Sequence, residues 1–240
     1  MNIDKDTYIR HEESLILIEM FKEENRARAK LVLETIESRF KVPSISKVAG
    51  DPFKVLVRTI ISQSTAEINT KRAYENLSKK VILTPKGLAE ADVEEIEEAL
   101  FVAGLYRNKS RIIKRVSEAI LKDMGGSLDF IYSDPLEKAR RKLLRLPGVG
   151  PKTADILLLF CAGKPVLPVD THVNRVSKRL GFVPEKAGYE EVRKTLETLY
   201  APKEYFKVHM LFISLGRRFC KAVNPRHDKC PVRHLCPSKP

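Results

Sequence analysis

Apolar positions recur at helical spacing through most of the chain and almost nowhere alternate with period two, so the sequence reads as nearly all α. Residues 1 to 43 open the pattern with Leu15, Ile16, Ile18, Met20 and Phe21, then Ala29, Leu31, Val32, Leu33 and Ile36, around a charged section from Lys22 to Arg28. Val42-Pro43 closes this region. Asp51-Pro52 opens a new helix through Phe53, Val55, Leu56, Val57, Ile60 and Ile61. Thr84-Pro85 begins a short one, and residues 91 to 100 form an acidic one whose Glu94, Glu95, Glu97 and Glu98 make a solvated face. Gly104 reads as a helix stop. A basic helix follows, with Lys109, Arg111, Lys114 and Arg115 over Ile112, Ile113, Val116 and Ile120; its cations face either phosphates or plain solvent. Amphipathic helices are expected over 173–180, 189–200 and 205–218.

Between two such helices lies Leu146-Pro147-Gly148-Val149-Gly150-Pro151-Lys152-Thr153-Ala154-Asp155. The two glycines are expected to take φ values that a side chain would forbid. Pro151 fits the first position of the following helix, where its missing N–H costs nothing. Upstream, Asp134 is expected to cap a helix that has Pro135 just inside it. Helix, glycine turn, helix points backbone N–H groups of Gly148 and Gly150 and a positive helix end outward, a setting for phosphate. The same turn also fits plain punctuation. Lys152 argues for more: an ammonium in a first turn opposes the helix dipole, and that field together with neighbouring cations eases its deprotonation to a nucleophilic amine. Eighteen residues on, Asp170 in Val169-Asp170-Thr171-His172-Val173 reads as an N-cap after a proline-rich segment.

Charge adds a partner class. With 44 Lys and Arg against 31 Asp and Glu, the net charge is +13, which points to a polyanion, most commonly nucleic acid. No stretch approaches the roughly 20 apolar residues that span a bilayer. The early acidic patch lacks a basic-then-apolar secretory pattern, so a cytoplasmic, nucleoid-associated location is expected.

Of four cysteines, Cys161 stands apart in an apolar run and reads as a small core residue. The others crowd the C-terminus as Cys220-x9-Cys230-Pro-x4-Cys236-Pro, which in a cytosolic chain points to metal ahead of disulfides.

The hairpin lysine, the capping aspartate at this spacing and the cysteine loop, flanked by Leu215-Gly216-Arg217-Arg218, together resemble the endonuclease III branch of the helix-hairpin-helix DNA glycosylases, over residues 28 to 240. The resemblance implies an all-α fold of two helical domains with a DNA-binding cleft between them. One is a six-helix domain over 44–164, and the other combines 1–43 with 165–240. It makes Lys152 the Schiff-base nucleophile and Asp170 the catalytic carboxylate of a bifunctional glycosylase/AP lyase acting on oxidised pyrimidines in duplex DNA, as a monomer. Gln63, the chain's only glutamine, and Leu105 become wedges filling the stack around an extruded nucleotide, with Thr65, Asn69, Thr153 and His172 as further DNA contacts. The family's Cys-x6-Cys-x2-Cys-x5-Cys pattern falls on Cys220, Cys230 and Cys236, but its second position is His227. A [4Fe–4S] cluster with Cys3His ligation is the expectation; a labile or three-iron cluster, a Cys3His zinc site and no metal stay open. Two alternatives remain for the function. One is a non-catalytic helix-hairpin-helix DNA-binding protein, for which Lys152 is a phosphate contact. The other is a glycosylase of the same fold with mismatch specificity.

Overall fold

The computed structural model describes residues 23–47 and 50–238, so the apolar positions Leu15, Ile16, Ile18, Met20 and Phe21 lie outside the described residues. Among the described residues there is no strand. The chain divides into two compact units, 43–168 and 1–42 with 169–240. Helix α1 covers 23–37 and turns Ala29, Val32, Leu33 and Ile36 into the core.

In the continuous unit, α2 (Pro52–Ser62) starts under Asp51, whose Oδ1 accepts the Lys54 N–H at 2.9 Å. α3 (Glu67–Lys80) follows, then α4 (Pro85–Glu90), capped by the Thr84 hydroxyl accepting the Gly87 N–H at 3.0 Å. The acidic α5 (Val93–Leu100) runs into a short 3-10 turn, Phe101–Ala103, and α6 (Tyr106–Met124) is the longest helix among the described residues. α6 packs against α4, α5 and α2, burying Ile113, Val116 and Ile120. A four-residue α7 (Phe130–Ser133) leads to α8 (Leu136–Leu144) and α9 (Pro151–Ile156), which continues as a π-helical turn over Leu157–Cys161.

Three expectations are corrected here. Asp134 does not cap α8. Pro135 holds the cap position, and the Asp134 carboxylate instead pairs with Lys138 at 2.8 Å and Lys142 at 2.7 Å, which holds it below the usual carboxylate range. The basic stripe on α6 is only half a stripe. Arg111 and Arg115 are exposed, but Lys109 is buried and Lys114 donates to the carbonyls of Ala89 and Ala91 at 2.8 and 2.6 Å, satisfying the open end of α4. Cys161 is half-buried, beyond the core, because the π turn widens the last turn and carries it to the helix end.

In the discontinuous unit, α10 (Thr171–Arg179), α11 (Tyr189–Leu199) and α12 (Tyr205–Arg218) follow one another, with α10 packed on α12. α1 is clasped to them. Arg28 donates to the carbonyls of Leu180 at 2.6 Å and Leu235 at 3.3 Å, and the Tyr200 hydroxyl donates to the carbonyl of Ala29 at 3.2 Å. Two short 3-10 turns, His227–Lys229 and Arg233–Leu235, shape the C-terminal loop.

Candidate active site

The glycine turn between α8 and α9 is built on one required glycine and one open one. Gly148 has φ +76°, and a Cβ there would meet Ile112 Cγ2 of α6 at 2.3 Å, so both backbone and space demand glycine. Gly150 departs from expectation: its φ is −91°, ordinary for any residue, and nothing lies within 4 Å of the Cβ position. Its smallness therefore leaves the entrance of α9 open without relieving strain. Val149 between them is buried and anchors the turn. Pro151 occupies the first helical position, Lys152 follows half-buried in the first turn, and Thr153 is buried at 3% exposure, so its side chain packs inward. Behind the turn the buried guanidinium of Arg140 on α8 holds the fully buried Asp155 on α9, Nε to Oδ1 at 2.6 Å and an NH2 nitrogen to Oδ2 at 3.3 Å. Sequence reasoning missed this pair; its signal was an acid placed on the buried face of an apolar helix.

Elsewhere in the same unit lie the two corners that hold Gln63 and Leu105. Gln63 ends α2, half-exposed, and Ser64 beyond it is left-handed at φ +53°. Leu105, between the 3-10 turn and α6, is 64% exposed and left-handed at φ +49°. A bulky residue in that region is strained by about 1–3 kcal/mol and held there by its surroundings. Phe101 and Val102 beside it are exposed as well. Thr65 looks inward: its hydroxyl lies 2.6 Å from the Ala103 carbonyl, which it donates to, and accepts from Lys109 Nζ. Asn69 sits half-exposed in the first turn of α3.

In the other unit Asp170 caps α10. Its Oδ1 accepts the backbone N–H groups of His172 at 2.9 Å and Val173 at 2.7 Å, and Oδ2 makes no hydrogen bond among the described residues. His172 is wedged against Gly216 of α12, where a Cβ would lie 2.9 Å from its ring nitrogen Nδ1. Burial, with help from Arg175 and Arg217, pushes His172 below the ordinary histidine value, against the opposing pull of Asp170. Arg175 spans from the same ring, 3.1 Å from Nδ1, to the carbonyls of Gly216 at 3.2 Å and Cys220 at 2.9 Å.

Arg179, one turn on, donates to Cys220 Sγ at 3.5 Å and to the carbonyls of Lys221 at 2.6 Å and Ala222 at 3.2 Å, while the Cys236 thiol donates to the backbone carbonyl of Arg179 at 3.3 Å. The cysteine loop is thus strapped to the helix that Asp170 caps. Cys220, His227, Cys230 and Cys236 line one hollow together with Phe219, Pro225, Arg179, Arg226 and Arg233. Among the described residues no three His, Cys, Asp or Glu side chains converge on one point closely enough to hold a single metal ion. Donors spread around a hollow fit a polynuclear group, with one donor per metal atom, better than one tetrahedral ion. Burial, together with the neighbouring thiols, holds the thiols of Cys230 and Cys236 above their ordinary values, a cost that metal binding would reverse.

Comparison with known proteins finds relatives over most of the chain. Residues 57–202 match the family described as HhH-GPD superfamily base excision DNA repair protein, and residues 220–236 match the iron-sulfur binding domain of endonuclease III. Endonuclease III of Thermotoga maritima is 38% identical over 186 residues, 78% of this chain and 83% of that protein. Endonuclease III of Bacillus subtilis is 33% identical over 212 residues, 88% of this chain and 93% of the relative. Among solved structures, a trapped endonuclease III–DNA covalent intermediate in an estranged-adenine complex is similar with TM-score 0.77 and 31% identity, covering 89% of this chain and 96% of that one.

Proposed function

The chain belongs to the HhH-GPD superfamily of base excision DNA repair proteins, on its endonuclease III branch, and is a DNA glycosylase and abasic-site lyase; within that activity we propose that it removes oxidised pyrimidines from duplex DNA with Lys152 as nucleophile and Asp170 as its carboxylate partner. The observation that carries the reading is Lys152 in the first turn of α9, beside a glycine turn whose Gly150 is open to a phosphate.

The cationic surface holds the duplex by its phosphates, and the damaged nucleotide leaves the stack, most easily when already poorly stacked. Gln63 and Leu105 fill the space it leaves. The neutral amine of Lys152 attacks C1′; the C1′–N bond breaks and the base departs with the electron pair and a proton. Asp170 stabilises the positive charge that develops on the sugar, a role supported by an Oδ2 that the helix cap does not use. Ring opening and loss of the amine's second proton give the imine. Removal of a C2′ proton then expels the 3′ phosphate, and water hydrolyses the imine to return Lys152. The protein acts as a monomer on duplex DNA carrying damaged bases or abasic sites.

An iron–sulfur cluster fits the C-terminal hollow, and we assign its ligands as Cys220, His227, Cys230 and Cys236. When bound, such a cluster ties together the loop between α12 and the chain end and tunes its affinity for DNA.

Borohydride trapping tests the reading. A duplex with one thymine glycol is expected to give a covalent adduct with the wild type and none with Lys152→Ala. An adduct only on a preformed abasic site would keep the lyase and move the base preference elsewhere. No adduct on either duplex, with binding intact, would leave a DNA-binding module alone.

A further inference from the structure

Lys109 is 2% exposed, and among the described residues no carboxylate lies within ion-pairing distance of it. Its ammonium donates to the Thr65 hydroxyl and, at 3.0 Å, to the Ala103 carbonyl; the Thr65 hydroxyl donates to that same carbonyl at 2.6 Å. A buried charge satisfied only by neutral acceptors is costly, and a methionine would fill the same volume without that cost. Burial accordingly pushes its pKa down. What the triangle achieves is a link between two corners that are 38 residues apart in sequence. Thr65 ends the Gln63-Ser64-Thr65 corner, and Ala103 immediately precedes the Gly104-Leu105 corner. Each corner holds a left-handed non-glycine residue, Ser64 and Leu105, which local sequence alone does not stabilise.

We propose that Lys109 is a positioning residue that locks the Gln63 and Leu105 corners into one rigid unit, so that the two side chains enter the duplex together. The proposal rests on the reading of Gln63 and Leu105 as wedges. Its consequence is energetic coupling: with the lock intact, loss of one wedge already misplaces the other, and the second loss adds little.

The experiment is a coupling cycle on base release from a thymine-glycol duplex under single-turnover conditions. Gln63→Ala, Leu105→Ala and the double variant are compared in the wild type and in Lys109→Met. Each single change is expected to slow base release at least tenfold in the wild-type background. The double change then falls short of the product of the singles by at least fivefold, and the factors multiply once Lys109→Met is present. Lys109→Met itself slows the duplex reaction but leaves imine trapping on a single-stranded abasic oligonucleotide within twofold, because no stack must be filled there. Thr65→Val, which removes the shared hydroxyl and keeps the lysine, gives the same direction with smaller size and serves if Lys109→Met folds poorly. Factors that multiply equally in both backgrounds would overturn the lock while leaving the wedges standing. Single changes without effect would remove the wedges and the lock with them. Loss of single-strand trapping in both Lys109→Met and Thr65→Val would reduce the triangle to general folding support.

Discussion

Asp155→Ala is the sharpest probe of how the hairpin is held. Asp155 is 0% exposed and Arg140 8% exposed, and their two contacts of 2.6 and 3.3 Å join α8 to α9 directly behind the glycine turn. Removing the carboxylate leaves the Arg140 guanidinium buried without its charge partner, a change that costs about 3–5 kcal/mol in comparable sites. For a protein of this size each kcal/mol lowers the melting temperature by about 2–4 °C, so a fall of roughly 6–20 °C is expected. Helical circular dichroism during heating, with a guanidinium titration alongside, measures it. Replacing both partners, Arg140→Met with Asp155→Leu, is expected to recover most of the loss, since buried pairs exchanged for apolar residues of similar volume are often neutral. Asp155→Asn falls between, because the amide still accepts a hydrogen bond. An Asp155→Ala protein melting within about 2 °C of wild type would refute the reasoning, because so small a shift is under about 1 kcal/mol at this size.

Three further outcomes follow from the same geometry. Gly148→Ala is expected to destabilise by about 1–3 kcal/mol through its positive φ and the Ile112 contact, whereas Gly150→Ala leaves the melting temperature in place and weakens duplex binding in an anisotropy titration. For Lys109, whose proton is held less tightly in the folded chain than the ordinary 10.4 or so of an unfolded lysine, the unfolded state binds more protons in the window between the two values. Stability therefore rises with pH across that window and is flat below it; the difference between wild type and Lys109→Met, followed by chemical denaturation from pH 7 to 10, should show the climb. At the C-terminus, His227→Ala is expected to lower iron and acid-labile sulfide per chain and His227→Cys to retain them, as read by metal analysis and visible absorbance; equal iron in His227→Ala would remove the histidine from the ligand set.

The helices were legible because their signals are local. Asp51-Pro52 and Thr84-Pro85 mark two starts that the side-chain caps realise, and the apolar spacing in α10, α11 and α12 gives their extents to within two residues. What stayed hidden depends on partners distant in sequence. Lys109 stands in a run of cations and reads as solvated, yet Thr65, 44 residues earlier, takes it inside. Asp134 looks like a cap from its neighbours on the chain, but two lysines one and two turns along α8 claim its carboxylate. The strapping of the cysteine loop by Arg175 and Arg179 is of the same kind: both arginines were visible on an amphipathic face, and only the fold supplies the carbonyls and sulfur they meet.

The clasp of α1 onto Leu180 and Leu235 sets an order of events during synthesis. Residues 43–168 form a continuous unit, complete in its own contacts once they have left the ribosome. α1 cannot reach its place then, because the carbonyls that Arg28 engages belong to Leu180 and Leu235. Until residues 180 and 235 have been synthesised, the helix that buries Ala29, Val32, Leu33 and Ile36 lacks the carbonyls that hold it. Domains generally fold as they emerge, so the growing chain holds a finished hairpin-bearing unit while α1 still waits for its clasp, and the apolar face of α1 is a surface that a nascent-chain chaperone would bind.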